Sequence, residues 1–162
     1  MKHLPPRFVL LASFATSLVA MFGAHAQAAD EERAIRALIE SHSLALNNGD
    51  VAKASAVYSD DATIVTGTGQ TYAGREGVNR WHTEAVNGPR PFVHHHPSDT
   101  IHVYFLNATN AVADVQTEIP RPPGADGQPT PPVRVPLFIA LVKRDGQWRV
   151  AAQRQAAAAP TP

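Results

Sequence analysis

Two side chains in this sequence have the chemistry to pass a proton between them, His42 and Asp114. An imidazole ionises near neutral pH, and a carboxylate bonded to one ring nitrogen leaves the other to take or give a proton. His42 belongs to the series Ile35, Leu38, Ile39, His42 and Leu46, whose three- and four-residue steps mark the inward stripe of a helix. Asp114 lies on the second arm of a hairpin turned at "NATN", residues 107–110. A two- or four-residue loop there pairs Phe105 with Val112, Val103 with Asp114 and Ile101 with Gln116, whereas a three-residue loop turns one strand over. On the first register Ile101, Val103, Phe105 and Val112 form an apolar wall, extended by Asp114, Gln116 and Glu118. His102, Tyr104, Ala113 and Val115 then take the other face. A carboxylate on an apolar wall is costly unless paired, so His42 is its expected partner. The plainer reading makes both residues satisfied polar groups at a cavity mouth, or His42 a packed core residue.

The run His94-His95-His96, with His82 and His102 nearby in sequence, has the type to hold a metal. On a strand only His94 and His96 share a face, and a firm zinc site wants a third or fourth ligand. No metal site is therefore expected. Trp81 stands three residues after Val78 on a helical stretch, which makes it core or pocket floor. Asp50, Asp60 and Asp61 resemble an acid–base group, yet their places beside "NNG" and before "ATIV" suit caps and turns. No phosphate loop, nucleophile elbow or dinucleotide fingerprint is present, which leaves a nicotinamide or flavin oxidoreductase unsupported.

Several elements must position these residues. A first helix from Asp30 ends at Asn47-Asn48-Gly49, a second runs from Val51 to Tyr58 behind Asp50, and a third from about Arg75 to Val86. Asp60-Asp61 closes the second helix and "ATIVT" starts a strand, followed by a turn and a short strand in "GTGQTYAG". The rest reads as a four-stranded antiparallel meander: "FVHHH" with "DTIHVYFL" broken at Pro97, "NAVADVQTEI", "VRVPLFIALVKR" and "QWRVAAQRQ". Residues 120–136 hold seven prolines in 17 residues, which predicts a stiff extended loop and no central strand. Helices first and strands after make an α+β fold.

The N-terminus reads as a secretory signal: Lys2 and Arg7, an apolar stretch from Phe8 to Ala24, then "AHA" and "AQA". Residues 1–28 are assigned to it, with cleavage after Ala26 or Ala28, which points to a secreted or periplasmic protein with no membrane segment after cleavage. An uncleaved anchor is the competing reading. The mature chain carries 12 cations against 14 acids, a net charge of −2, and offers no footprint for nucleic acid. There is no cysteine, so no disulfide supports the core. Residues 156–162 lack bulky apolar groups and read as a disordered tail.

Four stretches in register carry a family resemblance: "SHSLALNNGDVAKASAVYSDDATIV", "GREGVNRWH", "YFLNATNAVADV" and "LVKRDGQWRVAA". Together they resemble the nuclear transport factor 2-like superfamily, its SnoaL-like branch, and most nearly the SgcJ/EcaC group. The resemblance implies a cone-shaped, curved antiparallel sheet packed against three N-terminal helices over residues 29–155. It also implies a pocket, here lined by Thr66, Trp81, Val103, Phe105, Val112, Gln116 and Phe138 around His42 and Asp114. Ketosteroid isomerase, in the same superfamily, has a tyrosine donor where this chain has His42. Its two acids fall at Thr66 and about Ala140, neither of which can do that work. The implied function is binding of a small hydrophobic molecule, with cofactor-independent isomerase-, cyclase- or dehydratase-like chemistry on a carbonyl or polycyclic compound. The alternative is a non-catalytic periplasmic binding or assembly module, its cone plugged by Trp81 and Phe138. No cofactor is expected, and a homodimer through the sheet is.

Overall fold

A computed structural model describes residues 10–88 and 96–157. The chain divides into two compact units, 1–34 and 35–162. Helix α1 (Leu10–Asn47) begins twenty residues before the expected start. Asp30, Glu31 and Glu32 are therefore interior helix residues. Among the described residues no helix is long and apolar enough to cross a membrane.

In the second unit α1 presents Ile35, Ile39, His42 and Leu46 as a buried stripe, the period predicted from sequence. Gly49, at φ 71°, turns the chain where a side chain would be strained. Asp50 then caps α2 (Val51–Ala56), its carboxylate accepting from the Lys53 amide at 2.9 Å. α2 stops two residues short of the expected Tyr58. Tyr58, Ser59, Asp60 and Asp61 instead open strand β1 (Tyr58–Val65), so the acidic pair lies within a strand rather than closing a helix. Strand β2 (Thr71–Ala73) leads into α3 (Gly74–Val86), which buries Gly77, Val78, Trp81 and His82.

After a 3₁₀ turn (Ser98–Thr100) come β3 (His102–Asn107), β4 (Asn110–Ile119), β5 (Val133–Arg144) and β6 (Gln147–Gln155). The antiparallel meander is as expected, and β1 adds to it in parallel beside β6, giving one six-stranded sheet in the order β2-β1-β6-β5-β4-β3. Residues 92–95, expected to begin the interrupted strand, lie outside the described residues. The β5–β6 turn places Asp145 and Gly146 at φ 51° and 76°, the primed geometry that matches strand twist.

Two expectations about this sheet are corrected. The β3–β4 hairpin has the expected two-residue loop, with Asn107 opposite Asn110. The ladder shifts by one between there and Phe105, which sits opposite Ala111. Neither loop residue has positive φ, so the turn opposes the strands' twist, and β3 takes it up as a bulge at the exposed Leu106. The shift turns β4 over: Ala111, Ala113, Val115 and Thr117 are buried, while Val112, Asp114 and Gln116 face out. Val103 thus pairs with Ala113, and Asp114 pairs with His102. The proline-rich stretch is an exposed loop only to residue 132, because β5 holds Pro136 in an interior strand. The sheet tolerates this because β6 ends at Gln155, opposite Leu137. Just past that end the Pro136 carbonyl accepts from the Ala156 amide at 3.0 Å, so the missing amide of Pro136 costs only half of the last rung.

Candidate functional site

The inner face of the sheet supplies Val135, Leu137, Ile139, Leu141 and Val150 to a core shared with Ile35, Ile39, Val78 and Ile101. Inside it sits a chain of polar side chains. His42 on α1 and His82 on α3 approach Nε2 to Nε2 at 2.9 Å. Ser55, on α2, puts its hydroxyl 2.9 Å from Nδ1 of His82. Tyr58, at the start of β1, places its hydroxyl 3.4 Å from His42 Nε2 and donates to Gln153 Oε1 on β6 at 2.6 Å. Three helices and two strands thus each contribute one member. The rings of His42, Tyr58 and His82 meet edge to face, with centroids 5.1–5.4 Å apart, and Trp81 closes on His82 at 4.7 Å.

Burial sets the protonation of this chain. His82 has no exposed surface; desolvation of the charged ring pulls its pKa down to about 4, against a hydrogen bond to the Val78 carbonyl that favours the charged form. That carbonyl requires an N–H. Nε2 faces His42, so the proton of neutral His82 sits on Nδ1, and His82 Nε2 accepts from His42 Nε2–H. Burial also raises the Tyr58 phenol far above its ordinary value, keeping it a neutral donor to Gln153. One hydroxyl stands outside the network: Ser43 Oγ, next to His42 on α1, is buried with no hydrogen-bond partner among the described residues.

The residues expected at the site are divided by the register of β4. His42 and Trp81 are buried together, and Val103 and Phe105 lie on the inner side of β3, Phe105 with its ring 6.0 Å from Trp148. Asp114 does not meet His42, since it is exposed on the opposite face of the sheet with Val112 and Gln116. Phe138 pairs with Asp114 across the strands and is 44% exposed, so it does not plug the cone. Thr66 lies in the turn after β1, its hydroxyl 2.9 Å from that of Thr68. Ala140 shares the outer face of β5 with Phe138.

Of the histidine run, His96 is buried, its Nδ1 3.2 Å from the Thr117 hydroxyl, while His94 and His95 lie outside the described residues. Among the described residues no three groups of metal-binding type come together. Ser55, Tyr58, His82 and Gln153 were not anticipated as neighbours of His42. Only His82 carried a signal, its four-residue step from Val78 on the buried face of α3.

Among the described residues, two open pockets flank this core. One, of about 540 Å³, is lined by Tyr58, Asp60, Arg75, Arg144, Asp145 and Arg149 among others, with Arg75 paired to Asp60 and Arg144 to Asp61. The Arg144 guanidinium holds the Asp61 carboxyl below its usual range. The other, of about 300 Å³, lies on the outer face between Thr100, His102, Asp114, Gln116 and Pro136. Neither is lined by His42; the first shares Tyr58 with the polar chain.

The sequence from 27 to 154 matches the SnoaL-like domain model, and the chain belongs to that family. No curated protein matches it. Among solved structures it is similar to a nuclear transport factor 2-like protein with a cystatin-like fold from Novosphingobium aromaticivorans, at 15% identity and TM-score 0.69, over 86% of this chain and 90% of that one. It is also similar to a cystatin-like protein from Caulobacter vibrioides, at 22% identity and TM-score 0.65, over 80% and 90% of the two chains. A third is a ketosteroid isomerase-like protein from Erwinia carotovora atroseptica, at 20% identity and TM-score 0.63, over 79% and 96%. At these identities the likeness is one of fold.

Proposed function

Taking the SnoaL-like fold as the premise, we propose that this chain is an exported binder of a small hydrophobic molecule bearing a carbonyl or similar acceptor oxygen. We further propose that His42 performs cofactor-independent acid–base chemistry on it, of the isomerase, cyclase or dehydratase kind. Membership of the SgcJ/EcaC group is part of this proposal, as is removal of residues 1–28 as a signal peptide. The observation that carries it is the 2.9 Å contact between the Nε2 atoms of His42 and His82.

A pair of buried imidazoles is a costly way to fill a core. The two rings are not equivalent, because His82 has no exposure and His42 keeps 7%. His42 is therefore the member nearer to a ligand, and His82 stands behind it. With a pKa near 4, His82 does not compete for a proton at neutral pH. It accepts from His42 Nε2–H and steadies the imidazolium that forms when His42 takes a proton. Tyr58, held to Gln153, supplies a neutral hydroxyl beside the same nitrogen.

A second reading rests on a different observation. Ser55, Tyr58, His82 and Gln153 are bonded within the protein, so the network is complete without a ligand. That favours a non-catalytic binding or assembly module in which the histidines only pack. Native mass spectrometry of the protein purified from its source separates the two. The first reading expects a mature N-terminus at Gln27 or Ala29, a bound small molecule lost in His42→Ala, and turnover of that molecule by the wild type alone. A ligand held equally by wild type and variant, without turnover, sinks it in favour of the second.

A further inference from the structure

On its inner side the middle of the sheet is crossed by a row that reads Tyr72, Ile64, Gln153, Ile139 and Ala113 from β2 to β4, and every member is buried. Three of these are apolar, and the Tyr72 hydroxyl donates to Glu84. Gln153, 2% exposed, is the exception. Its side-chain oxygen accepts from Tyr58 at 2.6 Å, and no described residue accepts from its side-chain nitrogen. The histidine pair fixes which way this amide points. His42 Nε2 carries the proton that His82 accepts, so the Tyr58 hydroxyl, 3.4 Å from the same nitrogen, cannot donate to it. The hydroxyl proton goes to Gln153, which turns the amide oxygen towards Tyr58 and the NH₂ group away from it. That group is not sealed in. Among the described residues the one sealed side-chain polar atom without a partner is Ser43 Oγ, so the Gln153 nitrogen, which also lacks one, keeps some surface open.

We propose that the side-chain NH₂ of Gln153 is the donor that holds the ligand's oxygen, and that this oxygen belongs to a neutral carbonyl. This rests on the ligand-binding reading given above. A buried NH₂ without an acceptor is costly, and a ligand oxygen satisfies it. The charge of the ligand follows from what else is buried. Among the described residues the buried polar side chains are serine, threonine, histidine and glutamine, with no lysine, arginine or carboxylate. A carboxylate or phosphate would give up its water there without gaining an opposite charge. A ketone, aldehyde or ester oxygen needs only the donors that an amide has. The same bond serves the proposed chemistry. When His42 withdraws a proton from the carbon beside the carbonyl, the electron pair of that C–H bond moves onto the oxygen. The Gln153 NH₂ then stands where the charge develops. Tyr58 is a positioning residue for this step, since it holds the amide in the donating orientation.

Titration with three neutral ketones of different size, 1-indanone, 1-tetralone and 2-acetylnaphthalene, tests this, each beside its parent hydrocarbon and a carboxylate of the same ring system. The wild type is expected to bind at least one ketone about five- to tenfold more tightly than its hydrocarbon, the worth of one hydrogen bond, and the carboxylate least. Gln153→Met keeps the length of the side chain and loses the amide, so it should bind ketone and hydrocarbon alike. Infrared spectra of the carbon-13-labelled carbonyl give a second readout. Its stretch should lie lowest in the wild type, highest in Gln153→Met and between them in Tyr58→Phe. Ketone and hydrocarbon bound alike by the wild type, a preference that survives in Gln153→Met, or a preferred carboxylate would each overturn the proposal while leaving a ligand pocket in place. If the wild type binds none of these compounds, the ligand-binding reading and this proposal fall together.

Discussion

His82 makes the stability of this protein depend on pH in a definite direction. Its ring has an ordinary pKa of 6.5 when exposed and is lowered by burial to about 4 in the folded state. Between these values the unfolded chain binds a proton that the folded chain refuses. Stability is then fully present above about pH 6.5 and falls as the pH drops towards 4, by about 1.4 kcal/mol per pH unit. From about pH 7 to about pH 4.5 the loss amounts to about 2.5 kcal/mol, a large part of a typical domain's stability. Urea unfolding across that range reads it as a falling midpoint at constant slope.

His82→Asn isolates the contribution, because the carboxylates titrate in both proteins and the difference curve removes them. The variant is less stable at neutral pH, having lost the bonds to Ser55 and His42. Its stability should nevertheless decline about 2.5 kcal/mol less between pH 7 and 4.5. Nitrogen chemical shifts of the His82 ring give a direct check: the folded protein should keep a neutral ring, protonated on Nδ1, down to about pH 4. Parallel stability curves for the two proteins, or a folded-state ring that titrates near 6.5, would refute the reasoning.

Two further changes test the packing around this network. Tyr58→Phe removes the donor from Gln153 Oε1, which is then buried unsatisfied. It should cost about 1–3 kcal/mol in urea unfolding, and a smaller loss would mean that Gln153 finds another partner. Gly77→Ala puts a methyl 3.0 Å from the Tyr72 carbonyl carbon and 3.3 Å from its Cα. Backbone meets backbone there, so α3 must shift away from β2, and a melting temperature several degrees lower is expected. A neutral result would show that the helix moves freely.

The elements were legible because each announces itself locally. Gly49 and Asp50 end one helix and begin the next by their own conformational and hydrogen-bonding preferences. Asp145-Gly146 fixes a hairpin in the same way. Asp114 was misplaced because its position depends on a bulge at Leu106, and one extra residue reverses every side chain beyond it. The sequence did hold a corrective. Ala111, Ala113, Val115 and Thr117 alternate with Asp114, Gln116 and Glu118, and simple alternation puts the first set inside. The wall built on Phe105 and Val112 overrode that signal. Tyr58, Ser55 and Gln153 were out of reach for another reason. The parallel pairing of β1 with β6 brings Tyr58 and Gln153 together across 95 residues, and nothing local predicts that pairing.

The polar chain and the outer sheet face pose the same physical question from opposite sides. Inside, groups that prefer water are buried; outside, groups that avoid water are exposed. Replacing both partners of a buried hydrogen bond by apolar groups of similar shape is often neutral or stabilising. A core with no task beyond folding therefore has no need of two histidines at Nε2-to-Nε2 contact. Likewise a monomer gains nothing from Tyr104 and Phe138 in the open. His82 has no surface of its own and reaches outward through His42, and no described residue of the chain covers Phe138 fully. Under the proposed function, the first fact makes His42 the member of the pair that meets the ligand. The second leaves exposed apolar surface on the outer face of the sheet, on the opposite side of the strands from His42.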